Sequence, residues 1–185
     1  MQIITTPVEG VAIIELELKS DDRGFFARAF DRQQFAEAGL NPTAEQCNIS
    51  FNHQAGTLRG MHYQLAWAPE TKLVRCTRGA IVDIVVDMRE DSPTYLQHIE
   101  VELSADNRRA LYVPAMFAHG YQTLVDGTEV TYQVSGAYTP EAERGQRYDD
   151  PVLGLDWPMP ISVISAKDAS WPLLEPASVS QGASA

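Results

Sequence analysis

Apolar and polar positions in this chain alternate in short runs, and turn residues separate the runs. Alternation with a period of two marks half-buried strands. Strands are predicted over 11–18, 44–51, 57–64, 72–78, 81–88, 96–103, 109–113, 119–125 and 129–134. An extended stretch is expected over 25–30, after a turn at Asp21-Asp22-Arg23-Gly24. One helix is predicted, over 31–39. Asp31 caps it, Phe35 and Ala38 give a short apolar face, and Gly39 ends it. Strands at roughly 8–12-residue spacing indicate an all-β antiparallel sandwich or barrel with a few short helices. No strand alternates with a long helix, and neither GxGxxG nor a P-loop occurs, so a nucleotide-binding parallel sheet is disfavoured.

The chain changes character from Tyr138 onward. Pro140, Pro151, Pro158 and Pro160 break regular structure, and a short helical or extended lid is expected there. No repeat or linker divides the chain, so residues 1–175 are read as one domain. The small polar residues that follow, 176–185, are read as a disordered tail.

The 185 residues are 44% hydrophobic and 21% charged, an ordinary globular composition. The net charge of −11 repels nucleic acid and anionic membranes, but it leaves room for a small anionic ligand held by local basic groups. No apolar run approaches the length of about 20 residues that a membrane span needs. The N-terminal residues lack the pattern of a secretory signal, so a cytoplasmic location is expected. Cys47 and Cys76 are too far apart in sequence to suggest a framework, and they read as small apolar residues.

The chemistry rests on few groups. On the strand 57–64, alternation puts Leu58, Gly60, His62 and Gln64 on one side and Arg59, Met61 and Tyr63 on the other. If the first side faces a barrel interior, His62 and Gln64 form a polar pocket there. The plainer alternative is a buried, hydrogen-bonded histidine. His119 opens another strand and could face the same pocket. His53 reads as a solvated turn residue and His98 as an outward strand residue. Lys72 begins a strand, and Tyr132 lies within one. Asp83 interrupts the apolar run 80–86, where a carboxylate is either paired or outward-facing. Lys167 and Asp168 read, on their own, as surface charge. Strand-rich barrels that hold a metal often use His-x-His, but the second position here is Gln64, a poor ligand. A site without metal or cofactor is expected.

These residues also carry a resemblance. Asp22-Arg23-Gly24-Phe25-Phe26, Gln46-x-Asn48-x-Ser50, the run from Leu58 to Gln64 and Lys72-Leu73-Val74-Arg75 resemble the dTDP-4-dehydrorhamnose 3,5-epimerase family. So do Asp83-x-x-x-Asp87-x-Arg89-x-x-Ser92-Pro93-Thr94, Ala118-His119-Gly120, Tyr132, Glu143-Arg144, Asp149-Asp150-Pro151, Asp156-Trp157-Pro158 and Ser165-Ala166-Lys167-Asp168. The matches run in order through nearly the whole chain. The resemblance implies a cupin-type jelly roll, a homodimer with exchanged N-terminal strands, and a dTDP-4-keto-6-deoxy sugar as substrate. It implies His62 as the base, with Asp168 orienting it through the imidazole Nδ1–H and Asp83 as a second candidate partner. Lys72 would stabilise an enolate oxygen, and Tyr132 would return the proton. Arg23, Gln46, Asn48, Arg59, His119, Glu143 and Lys167 match positions that bind substrate.

This chain departs from the family pattern at Arg28 (usually Glu), Glu70 (usually Gln), Met116 (usually Gly) and Ala137 (usually Tyr). These changes are expected in the pocket lining, with epimerase chemistry kept and the sugar, the base or the number of inverted centres open. Some relatives invert C3 alone. A non-catalytic sugar-nucleotide-binding cupin, a metal-dependent cupin enzyme and a related ketoisomerase are the alternatives.

Overall fold

The computed structural model describes residues 1–174, so the tail expected over 176–185 lies outside the described residues. The strands are β1 (Gln2–Thr5), β2 (Ala12–Glu15), β3 (Lys19–Asp21), β4 (Gly24–Phe26), β5 (Gln46–Asn52), β6 (Thr57–Gln64) and β7 (Lys72–Arg78). Then come β8 (Ala80–Asp87), β9 (His98–Ser104), β10 (Ala110–Val113), β11 (Phe117–Thr123), β12 (Thr128–Val134), β13 (Glu143–Gly145) and β14 (Val163–Ile164). The helices are α1 (Arg32–Glu37) and α2 (Ala166–Ala169).

Two six-stranded sheets make up the body. The first runs β1-β2-β10-β7-β12-β5; the second runs β13-β6-β11-β8-β9, with β14 beside β6. Pairing within them is antiparallel, apart from the parallel β14–β6 pair. This is the cupin-type jelly roll that the sequence implied. The inner faces meet in a core of Val74, Cys76, Leu111 and Val130 from the first sheet and Ile81, Val85, Leu103 and Phe117 from the second. Each side chain of this size stabilises the fold by about 1.5–3 kcal/mol when removed from water. The apolar half of each alternating strand therefore holds the sheets together and leaves the polar half to line a cavity or the surface.

The helix α1 forms as expected. Asp31 accepts from the backbone N–H of Gln33 and Gln34, Phe35 buries against Phe30 and Tyr112, and Gly39 follows at φ +73°. The extended stretch expected over 25–30 is instead a short hairpin, β3–β4, that ends at Phe26. Among the described residues no helix is long and apolar enough to cross a membrane.

Candidate functional site

A cavity of about 640 Å³ opens between the sheets at one end of the barrel. The first sheet lines it with Gln46, Asn48 and Ser50 of β5, Lys72 of β7 and Tyr132 of β12. The second contributes Arg59 and His62 of β6, His119 and Tyr121 of β11 and Glu143 of β13. Asp168, from α2, closes one side.

Strand β6 is the centre of the site, and it is not a regular strand. His62 pairs with His119 and Arg59 pairs with Tyr121, so three steps along β6 match two along β11. The extra residue is a bulge. Simple alternation sets Arg59 on the face opposite His62; the bulge turns both into the cavity, which corrects that expectation. Gly60 permits it, with φ at +123° and no room for a side chain: a Cβ there would lie 2.5 Å from the Gly120 Cα. The bulge also points the Gly60 N–H at Asp168 Oδ2, 3.3 Å away.

Asp168 is brought to β6 by the segment before it. Val163 and Ile164 pair in parallel with Thr57 and Leu58, Ser165 caps α2 by accepting from the Asp168 N–H, and the carboxylate then reaches His62. His62 Nε2 and Asp168 Oδ1 stand 2.7 Å apart. The nitrogen facing the carboxylate is thus Nε2 and not the expected Nδ1, because the carboxylate approaches the far edge of the ring; Nδ1 is left without that partner. Burial pushes the Asp168 pKa up, but the hydrogen bond and charge of His62, with help from Gly60 and Ser165, outweigh it and hold the carboxyl below its ordinary value. Asp168 is only 5% exposed, so it is not the surface charge its sequence suggests.

The second candidate partner for His62 is taken elsewhere. Asp83 Oδ1 lies 2.6 Å from His119 Nε2, and both residues are buried. The contact is electrostatic rather than an aligned hydrogen bond: among the described residues, His119 Nε2 and both Asp83 oxygens lack one. Asp83 therefore backs His119, which corrects its assignment to His62.

On the other sheet, the Tyr132 hydroxyl donates to Tyr121 Oη at 3.2 Å, and Tyr121 also meets Ser50 at 2.9 Å and Asn52 at 3.2 Å. Arg59 Nε donates to Asn52 Oδ1 at 2.8 Å, so the arginine is tied into the same network. Burial raises the Tyr132 pKa well above that of a free phenol, and Tyr121 adds to the shift. The group therefore stays protonated at neutral pH. Lys72 Nζ lies 3.1 Å from Glu70 Oε1, with both side chains mostly buried.

The expected binding residues divide. Gln46, Asn48, Arg59, His119 and Glu143 line the cavity. Lys167 stands at its rim, bonded to Glu143 at 2.6 and 2.7 Å, and each partner shifts the other towards its charged form: the Glu143 hydrogen bond raises Lys167, while Lys167 and Tyr138 overcome the effect of burial on Glu143 and lower it. Arg23 is outside the cavity. It sits in the turn of the β3–β4 hairpin, 89% exposed and paired with Asp21 at 2.6 Å.

The departures from the family pattern divide as well. Of the four, Glu70 alone is among the residues that line the cavity; Ala137 is not, although its neighbour Tyr138 is. Arg28 lies on the surface of this chain and pairs with Asp31 at 2.6 Å. Met116 occupies the turn before β11 with φ at +64°, a backbone region that glycine fills without strain. The expectation that these positions all lie in the pocket is corrected for Arg28, Met116 and Ala137.

Sequence reasoning missed Ser50 and Tyr121, although Ser50 continues the alternation of Gln46 and Asn48. It expected a short helical or extended segment after Tyr138 without placing α2, whose Ser165-x-x-Asp168 spacing is a capping-box signature. Among the described residues no three His, Cys, Asp or Glu side chains converge as a metal would require. Gln64 instead accepts from the Thr139 N–H at 2.6 Å.

Comparison with known proteins agrees with this geometry. The family described as dTDP-4-dehydrorhamnose 3,5-epimerase matches residues 5–176. A dTDP-4-dehydrorhamnose 3,5-epimerase of Sinorhizobium fredii is 43% identical over 165 residues, covering 89% of this chain and 85% of its own. The crystal structure of a Bacillus anthracis enzyme of that name, with TDP and PPi bound, superposes with a TM-score of 0.90 at 39% identity, over 94% of this chain and 99% of that one. A Legionella pneumophila epimerase solved with dTDP-4-keto-L-rhamnose gives a TM-score of 0.86 at 38% identity, over 93% of this chain and 92% of that one.

Proposed function

The chain belongs to the dTDP-4-dehydrorhamnose 3,5-epimerase family, and from that premise we propose that it epimerises a dTDP-linked 4-keto-6-deoxyhexose at C3, C5 or both. The observation that carries the proposal is the His62–Asp168 pair, 2.7 Å apart, in one cavity with the raised phenol of Tyr132. A base, its orienting carboxylate and a protonated acid from the opposite sheet are what inversion of a carbon acid needs.

The keto group at C4 acidifies the hydrogens on C3 and C5. His62 Nδ1 takes one of these protons, and Asp168 steadies the charge that develops on the ring. The electron pair released moves to the keto oxygen as an enolate. The Lys72 ammonium offsets that negative charge, as preorganised donors do in water-poor sites. Tyr132 delivers a proton to the same carbon from the opposite face, so the centre inverts; His62 then releases its proton to solvent and the phenol takes one up, which restores both groups. Arg59 supplies positive charge for the diphosphate, and His119, beside Asp83, adds a polar ring within the same cavity.

The homodimer and the cytoplasmic location belong to the same proposal. The exposed Phe25 and Phe26 of β4, with Ile49 and Phe51 on the edge strand β5, are apolar surface that a second copy would cover. Arg23 beside them would then serve the cavity of the partner, which accounts for its distance from its own. Light scattering should give twice the chain mass; a monomer at micromolar concentration would end this part of the proposal.

The reaction is tested by incubating the protein with dTDP-4-keto-6-deoxyglucose in deuterated water. Deuterium should enter C3, C5 or both, read by NMR, and the product stereochemistry separates epimerisation from ketoisomerisation. His62→Ala should abolish incorporation. Tight binding without incorporation in the unaltered protein would identify a binding module instead.

A further inference from the structure

Asp168 stands on a helix of four residues, and so short a segment does not hold a carboxylate in place by itself. Two features of the fold fix its approach from the N-terminal side: the β14–β6 pairing and the Ser165 cap. On the C-terminal side the chain leaves α2 at Ser170 and places Trp171 back against the sheet. The indole lies edge-on to the His62 ring, with centroids 6.1 Å apart and planes at 68°. It also lies under the Lys167 ammonium, 5.6 Å from the ring centroid. One ring therefore touches the base and the residue next to the carboxylate.

The seat of that indole is Gly145. Gly145 pairs with His62 across β13 and β6, and a Cβ built on it would fall 2.1 Å from Trp171 Cε2 and 2.3 Å from Cδ2. The backbone here does not require glycine for its conformation, so its missing side chain provides space. The glycine directly opposite the base is what lets the indole settle beside it.

We propose that Trp171 is a positioning residue for the His62–Asp168 pair, acting through its seat on Gly145. It holds α2 against β6 and fills the flank of the imidazole away from the cavity, so that the ring and carboxylate keep their 2.7 Å contact. Trp171 is not among the residues that line the cavity and does not itself handle substrate. This inference rests on His62 acting as the base.

The test is a kinetic cycle with Trp171→Ala, Gly145→Ala, their combination and Trp171→Phe, each checked for folding by thermal melting. Deuterium incorporation gives kcat and KM. Trp171→Ala should lower kcat about 10- to 100-fold, as expected when reacting groups lose alignment, and leave KM within about threefold. Gly145→Ala should do the same by displacing the indole. In the Trp171→Ala background it should cost nothing further, because there is no indole left to displace. Trp171→Phe should retain most of the rate. Unaltered kcat in Trp171→Ala, a rise in KM alone, or losses that simply add in the double variant would overturn the inference. An unaltered protein that incorporates no deuterium would instead overturn the functional reading beneath it.

Discussion

His62 and Asp168 are 106 residues apart in sequence, yet their side chains meet at 2.7 Å. The meeting depends on backbone features as much as on the side chains. The bulge at Gly60 turns His62 inward and gives Asp168 a second hydrogen bond, and the two-residue strand β14 delivers α2 to the right place. A pair this remote in sequence is held only while both elements stay docked.

Replacing Asp168 by Asn keeps the shape and removes the charge. The amide cannot offset the charge that forms on the ring as His62 takes a proton, and it can present N–H where the ring expects an acceptor. Deuterium incorporation should fall by about 10²–10³ while the melting temperature changes little. Incorporation at the unaltered rate would exclude the carboxylate from the reaction.

Tyr132→Phe should separate two events that the proposed mechanism couples. Exchange needs only the removal of a proton and its return by any route, whereas inversion needs return from the opposite face. The phenol is kept protonated by burial and by its contact with Tyr121. Its loss should slow formation of the inverted sugar by about 10²-fold or more and leave exchange less affected. NMR follows both in one sample. Equal losses in exchange and inversion would remove Tyr132 from the role of acid.

Much of this was legible in the sequence, and the gaps have physical causes. The limits of β6 and β7 match the predicted runs because both alternate and end at turn residues. The limits of β11 differ because the turn before it already carries Met116 at a positive φ, which lets pairing begin at Phe117. β13 and β14 have three and two residues, too few to show a period. Arg59 was put on the wrong face because a bulge breaks alternation and leaves no mark in composition beyond one glycine. Asp83 and Asp168 were both possible partners for His62, since spacing along a chain does not report distance across a barrel. Asp83 faces Tyr121 in the register of β8 and β11, which turns its carboxylate to His119.

Glu70 gives a prediction about the electrostatics of the cavity. Its carboxylate is 3.1 Å from the Lys72 ammonium and faces the space where an anionic substrate and an enolate would sit. On the proposed mechanism it would partly cancel the cation beside the enolate and would repel the anionic substrate. Glu70→Gln should therefore raise kcat/KM severalfold, measured on the same nucleotide sugar. The lost ion pair should lower stability by about 1 kcal/mol in denaturant titrations. A fall in kcat/KM would mean that the carboxylate serves mainly to aim Lys72.

The last prediction concerns acid stability, away from the cavity. Asp87 is fully buried at the end of β8, where it accepts from Arg89, Ser92 and Thr94. Burial alone would raise its pKa; these hydrogen bonds override it and hold the carboxyl at about 2. A pKa lowered by folding means that the folded state favours the ionised form. The resulting stability is present in full above the unfolded value, near 3.9, and is lost as pH falls through about 2. The shift corresponds to about 2 kcal/mol. Asp87→Asn should thus be less stable than the unaltered protein at pH 6 by at least that amount. The gap should narrow as pH drops from about 4 towards about 2, because the unaltered carboxyl then takes up its proton. Urea titrations at several pH values read the gap directly, and a difference constant across that range would show that the Asp87 charge contributes nothing to folding.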